Sequence, residues 1–131
     1  MKIVTLIARI LLGLMFFVFG LNGFLNFIPA PATIPGPAGA FNGAMQETHY
    51  TWFVSGVQVV CGVLLLTNQF VPLAIVVLAA VLSNILVFHL TMLPMGFPLA
   101  ILAAVLWVIV ALPLRSHFAP LFAQHADTPQ R

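Results

Sequence analysis

Between Arg9 and Arg115 the chain carries a single charged side chain, Glu47. That scarcity constrains the fold more than any motif does. An ordinary soluble domain is roughly one quarter Asp, Glu, Lys and Arg, and a globule of this length has too much surface to cover without them. With 131 residues, 63% hydrophobic and 5% charged, the chain needs a solvent that accepts apolar side chains, and the bilayer interior is that solvent. The same numbers exclude disorder, which requires low hydrophobicity and high charge. They exclude a nucleic-acid partner too, because no basic cluster is present to neutralise phosphates. One cysteine, Cys61, leaves no intrachain disulfide and no Cys-rich zinc or iron–sulfur site.

A spanning helix takes about 20 apolar residues, so the length holds four spans and one sizeable loop. The apolar runs lie at about residues 4–28, 51–67, 72–92 and 98–114, with an outer loop at 29–50 and a polar tail at 116–131. The first run competes with a signal peptide, but a signal h-region has only about 7–15 residues, and this run is longer. We expect it to be a retained span. Pro29, Pro31, Pro35 and Pro37 predict a break through Gly39, since proline lacks a backbone donor and disfavours helix in the residue before it. Residues 40–50 read as a short amphipathic helix at the interface, which can lengthen the short second span. Tyr50 and Trp52 are aromatics favoured at headgroup depth. The expected fold is all-α: an integral-membrane antiparallel four-helix bundle with a short interfacial helix in the first outer loop.

Basic residues set orientation. Lys2 and Arg9 flank the first span, Arg115 and Arg131 follow the fourth, and the first loop has no Lys or Arg. Both termini are expected on the cytoplasmic side of a bacterial cytoplasmic membrane, as an even number of spans requires. Small residues mark expected helix contacts: Gly13 with Gly20, Ala79 with Ser83, and Ala100 with Ala104.

The few polar side chains within the spans fall at one depth. Counting inward from the outer ends at 1.5 Å per residue, Asn22 lies roughly 9 Å inside, Gln58 about 10 Å, His89 about 6 Å and Asn84 roughly 13 Å. Asn26 and Ser55 lie nearer the surface, with Glu47, His49 and Tyr50 in the loop just above. An outward-facing polar cavity among the first three spans, capped by Glu47 and His49, is one reading. Helix–helix hydrogen bonding by the same Asn, Gln and Ser residues is the other, and for Ser55 it is the favoured one. An ionisable side chain inside a membrane is a functional candidate by default, which singles out His89. The candidate ligand-binding residues are Asn22, Asn26, Glu47, Gln58, Asn84 and His89.

Other constellations carry less. His49, Glu47 and His89 lack helical metal-ligand spacing, so no metal site is expected. His89 is the one histidine inside a span, which argues against a bis-histidine haem. Cys61 reads as packing, and Arg9 as snorkelling to lipid phosphates. Phe16, Phe17, Phe24 and Phe27 can line a groove, although facing lipid is the simpler role. Phosphate-binding loops, dinucleotide fingerprints, nucleophile elbows and Cys-x-x-Cys are all missing, so no catalytic residue is assigned.

Three stretches of sequence carry a family resemblance. Arg9-Ile-Leu-Leu-Gly13-Leu-Met-Phe-Phe-Val-Phe-Gly20-Leu-Asn22 resembles the first span of the DoxX-like family of small bacterial membrane proteins. Gly56-Val-Gln58-Val-Val-Cys-Gly62, running on to Thr67 and Pro72, resembles its second span and inner turn. Asn84-Ile-Leu-Val-Phe-His89 resembles the end of its third. The resemblance covers roughly residues 9–115 and implies a four-helix membrane protein. It also implies a link to membrane redox processes, as in a membrane subunit of thiosulfate:quinone oxidoreductase. Relatives often carry an acid where this chain has Gln58, and basic or His residues near Gly23 and Asn26.

Three functions follow as expectations. The first is an accessory subunit or binding module for a lipid-soluble small molecule, quinone- or lipid-like, serving a redox partner. The second is a structural subunit that assembles with itself or with a larger membrane complex and has no chemistry of its own. A small transporter ranks third, because no inverted repeat or broken-helix pattern is present.

Overall fold

The computed structural model describes residues 2–128, so the Arg131 charge used above for orientation lies outside the described residues. Every regular element among the described residues is a helix. α1 is Lys2–Leu25, α2 Gly36–Glu47, α3 Tyr50–Leu66, α4 Val71–Thr91 and α5 Phe97–Ala111; a single turn, α6 (Arg115–Phe118), follows between short 3₁₀ segments. Lys2–Leu25, Val71–Thr91 and the continuous stretch Pro94–Phe122 are each long and apolar enough to cross a membrane, and the bent pair α2–α3 is a fourth candidate. The chain is a multi-pass membrane protein.

Helices that are apolar all round belong in lipid or in a core, and these four satisfy both demands. Leu6, Ile10, Leu14 and Val18 form an exposed stripe on α1, while Ala8, Leu12, Gly13, Phe16 and Gly20 are buried. In hydrocarbon, burial of apolar surface does not drive helices together, so close packing must. Small residues supply it between α1 and α3. A Cβ on Gly62 would lie 2.7 Å from the Phe17 nitrogen and 2.9 Å from the Gly13 carbonyl oxygen, and one on Gly20 would lie 2.9 Å from the Ser55 oxygen. The pairing of Gly13 with Gly62 and of Gly20 with Ser55 runs the two helices antiparallel. α3 packs next on α4, α4 on α5, and α5 back on α1, which closes a ring of four. Ser83, of the Ala79–Ser83 pair expected to meet another helix, is exposed, and its hydroxyl donates to the Ala79 carbonyl in its own helix (2.6 Å).

Three local departures from the sequence reading have simple causes. α2 starts at Gly36, inside the expected proline break, because Pro37 falls in the first turn, where a helix has no use for its missing N–H. Tyr50 opens α3 and does not close the interfacial helix; His49, at φ 60°, turns the chain so that α2 stands at 86° to α3 and does not lengthen it along its axis. Arg9 has a partner within the protein. Its guanidinium donates to the carbonyl of Leu65 at the C-terminal end of α3, where carbonyls lack helical partners and a cation is favoured.

Packing differs between the two ends of the bundle. Leu12, Leu65, Ile75, Leu78 and Val110 are fully buried at the end remote from α2. The Trp107 indole N–H there donates to the Ile75 carbonyl (2.9 Å) and ties α5 to α4. The end beside α2 holds the cavities described next.

Candidate functional site: two cavities beside α2

A cavity of about 240 Å³ lies inside the ring of helices. Met15, Phe16 and Phe19 of α1 line it on one side, Ala100 and Ala103 of α5 on another, and Gln58 of α3, Ile85 and His89 of α4 complete it. Two side chains bring hydrogen-bonding capacity to this apolar space. The His89 Nδ1 lies 3.0 Å from the Leu93 carbonyl oxygen. A carbonyl can only accept, so Nδ1 carries the hydrogen, and in the neutral ring Nε2 is left as an acceptor. Among the described residues neither Nε2 nor the Gln58 amide makes a hydrogen bond, and no buried side-chain nitrogen or oxygen lacks one. Both groups are therefore accessible rather than sealed in. Gly96 holds the ring in place from beneath: a Cβ there would overlap Cε1 and Nδ1 of His89. Phe88 packs edge-on against the same imidazole at 5.2 Å between ring centres.

The second cavity is a groove of about 770 Å³ between α3 and α4, roofed by α2. Val54 and Val57 of α3, Val81 and Ile85 of α4, and Phe41 and Met45 of α2 form its apolar walls. Phe41 meets Phe88 across its α2 end, with ring centres 5.6 Å apart. Asn84 lines the groove, but its amide already donates to the Ala80 carbonyl (2.9 Å). Ile85 lines both spaces and forms the wall between them.

Of the six residues singled out from sequence, the structure brings Gln58 and His89 to one cavity and Asn84 to the other. The remaining three stand apart. The Asn22 Oδ1 accepts from the Ile28 backbone N–H (2.7 Å) and so holds the chain as it leaves α1. Asn26 is the left-handed residue just past that helix end, at φ 49°, a conformation asparagine tolerates well. Glu47 is exposed at the last turn of α2. His49 stacks on Trp52 at 4.5 Å between ring centres and contributes to neither cavity. Ser55, 4% exposed, is wedged against Gly23. Among the phenylalanines, Phe16 is buried against the inner cavity while Phe24 and Phe27 are exposed. Sequence reasoning missed Gly96 and Ile85. A signal for Gly96 exists: a glycine seven residues after His89, within a turn bounded by Pro94 and Pro98.

Compared with known proteins, the chain matches the model of one family, DoxX, over residues 4–91. The match contains α1 to α4, and hence Gln58, Ile85 and His89, and ends before Gly96 and α5. No curated protein and no solved structure matches the chain.

Proposed function

The chain belongs to the DoxX family, and on that footing we propose that it is a binding module for a small lipid-soluble molecule with a polar ring. The observation that carries this is the inner cavity, with Gln58 and His89 lining it and neither side chain partnered among the described residues. Leaving polar groups unpaired in a membrane costs free energy, and a ligand that pairs both recovers it. The volume is below the 300–1,000 Å³ typical of sites that enclose a whole drug-sized ligand, so it fits one ring and its substituents. Nε2 demands a donor, and the Gln58 amide both donates and accepts. A ring with two hydroxyl groups, a hydroquinone, meets both demands, and Phe16 and Phe19 supply apolar faces for it. The chemistry of oxidising or reducing such a ring would belong to a partner, with this chain as its accessory subunit.

Trimethylhydroquinone is expected to bind the protein in nanodiscs, above the uptake of empty nanodiscs, by isothermal titration calorimetry. Its dimethyl ether keeps the ring and loses the donors; it is expected to bind about tenfold more weakly, as follows from losing one hydrogen bond to the Nε2 acceptor in an apolar cavity. Gln58→Leu and His89→Leu should each have an effect of that order. Equal binding of diol and ether, or indifference to both substitutions, rejects the site and favours the structural, assembly-only reading.

The orientation belongs to the same proposal. With Lys2, Arg9 and Arg115 at one end and none of the Lys or Arg residues in the loop at 29–50, the termini face the cytoplasm of a bacterial cell and α2 faces outward. A membrane-impermeant maleimide is expected to label Gly43→Cys in intact cells and His125→Cys only after lysis. Cys61, 3% exposed, should stay unlabelled in both. Labelling in the reverse order inverts the assignment.

A further inference from the structure

The inner cavity has a neighbour that the head group does not use. The groove between α3 and α4 is three times as large and shares Ile85 with it. It runs along the lateral face of the bundle, where lipid lies. Its polar side chain at mid-depth, Asn84, is turned to its own helix, where its amide donates to the Ala80 carbonyl, and the other polar lining residues, Asn42 and Tyr50, belong to α2 and the first turn of α3. Its α2 end is closed by Phe41 against Phe88, and Val54, Val57 and Val81 form a continuous apolar floor.

We propose that the groove holds the long apolar tail of the same ligand whose ring sits between Gln58 and His89, and that the ring reaches its cavity from the lipid by passing Ile85 at the α3–α4 seam. The inference rests on the head-group reading above and adds the tail site and the path. One observation favours this occupant over an unrelated lipid. Adjacent residues on each helix face the two spaces, Val57 and Gln58 on α3, Phe88 and His89 on α4, so one ligand reaches both by crossing a single side chain. The chemistry of the occupant follows from the lining: a space of about 770 Å³ lined mostly by apolar side chains favours a flexible hydrocarbon chain over water, which needs polar partners. The ligand class is therefore an amphiphile: a dihydroxylated ring on an alkyl or isoprenoid tail.

The experiment compares trimethylhydroquinone with its decyl-substituted analogue in nanodiscs, each against empty nanodiscs. Joining two occupied subsites in one molecule raises affinity without new contacts, so the decyl compound is expected to bind at least about tenfold tighter. Ala80→Trp places an indole in the groove from an exposed position on α4. It should bring the decyl compound down to the level of trimethylhydroquinone and leave the latter unchanged, which also reports that the variant is folded. A second measurement uses a diazirine at the end of the tail, which is expected to crosslink to α3 and α4. Equal binding of the two compounds to the native chain, an equal loss of both in Ala80→Trp, or crosslinks confined to α1 and α5 overturns the tail site. Failure of the head site looks different: trimethylhydroquinone then does not bind, and Gln58→Leu leaves the decyl compound unaffected.

Discussion

Replacing Gly62 with valine is expected to separate α1 from α3 and to lower stability by about 3 kcal/mol or more, the upper range for overpacked cores. The atoms that a side chain there would meet are backbone: the nitrogen and Cα of Phe17 and the carbonyl of Gly13. A neighbouring side chain can rotate aside, but backbone moves only with its helix. The α1–α3 seam is the most extensive helix contact in the bundle, and in lipid the apolar environment does nothing to hold it closed once packing is lost. Displacing α1 also draws Arg9 away from the Leu65 carbonyl, so two stabilising features fail together. Thermal unfolding followed by circular dichroism in detergent micelles reads the effect. Gly43→Ala is the matched control, because open space surrounds that glycine in α2; it should be neutral or slightly stabilising, as alanine is in a helix. Similar midpoints for the two variants would mean that the seam does not govern stability.

The second large effect is expected at Gly96. Its alanine variant pushes the His89 ring off its seat and breaks the Nδ1 hydrogen bond to Leu93. That bond fixes which nitrogen accepts, so its loss leaves the ring free in both rotation and tautomer. Binding of trimethylhydroquinone should fall by about tenfold, the same as for His89→Leu, since a tenfold change corresponds to about 1.4 kcal/mol and one hydrogen bond in a dry site is worth about that much. Gly96 acts through His89, so the two losses should not add: Gly96→Ala combined with His89→Leu is expected to bind no worse than His89→Leu alone. Additive losses would show that Gly96 contacts the ligand itself or shapes the cavity independently of the imidazole.

The helical plan was legible because apolar runs ended at turns with a chemical signature. Asn68-Gln69 before Pro72, and Pro94 with Gly96, break helices for reasons that require no tertiary context. Height along each helix was legible too, since counting residues along a helix needs only its rise. Rotation about each helix axis was not. A helix that is apolar on every side has no face to read, so Gln58, Asn84 and His89 came out at related depths with no means of telling which pointed inward together. Asn22 illustrates a second limit. Its residue type suits a binding site and a helix end equally well, and only the position of Ile28 shows which use it serves. Arg9 illustrates a third: the carbonyl it reaches lies 56 positions along the chain, beyond any local pattern.

The contrast in packing between the two ends of the bundle has an electrical consequence. Leu12, Leu65, Ile75, Leu78 and Val110 fill the end remote from α2, while both cavities lie toward the other end. A charge carried across a whole membrane exchanges about 2.3 kcal/mol with each 100 mV of potential. A charge crossing the filled half would do so among apolar side chains, at a further cost of at least about 2.5 kcal/mol. The filled half therefore acts as an insulator, and hollowing the bundle beside α2 does not by itself open a leak through the membrane that holds it.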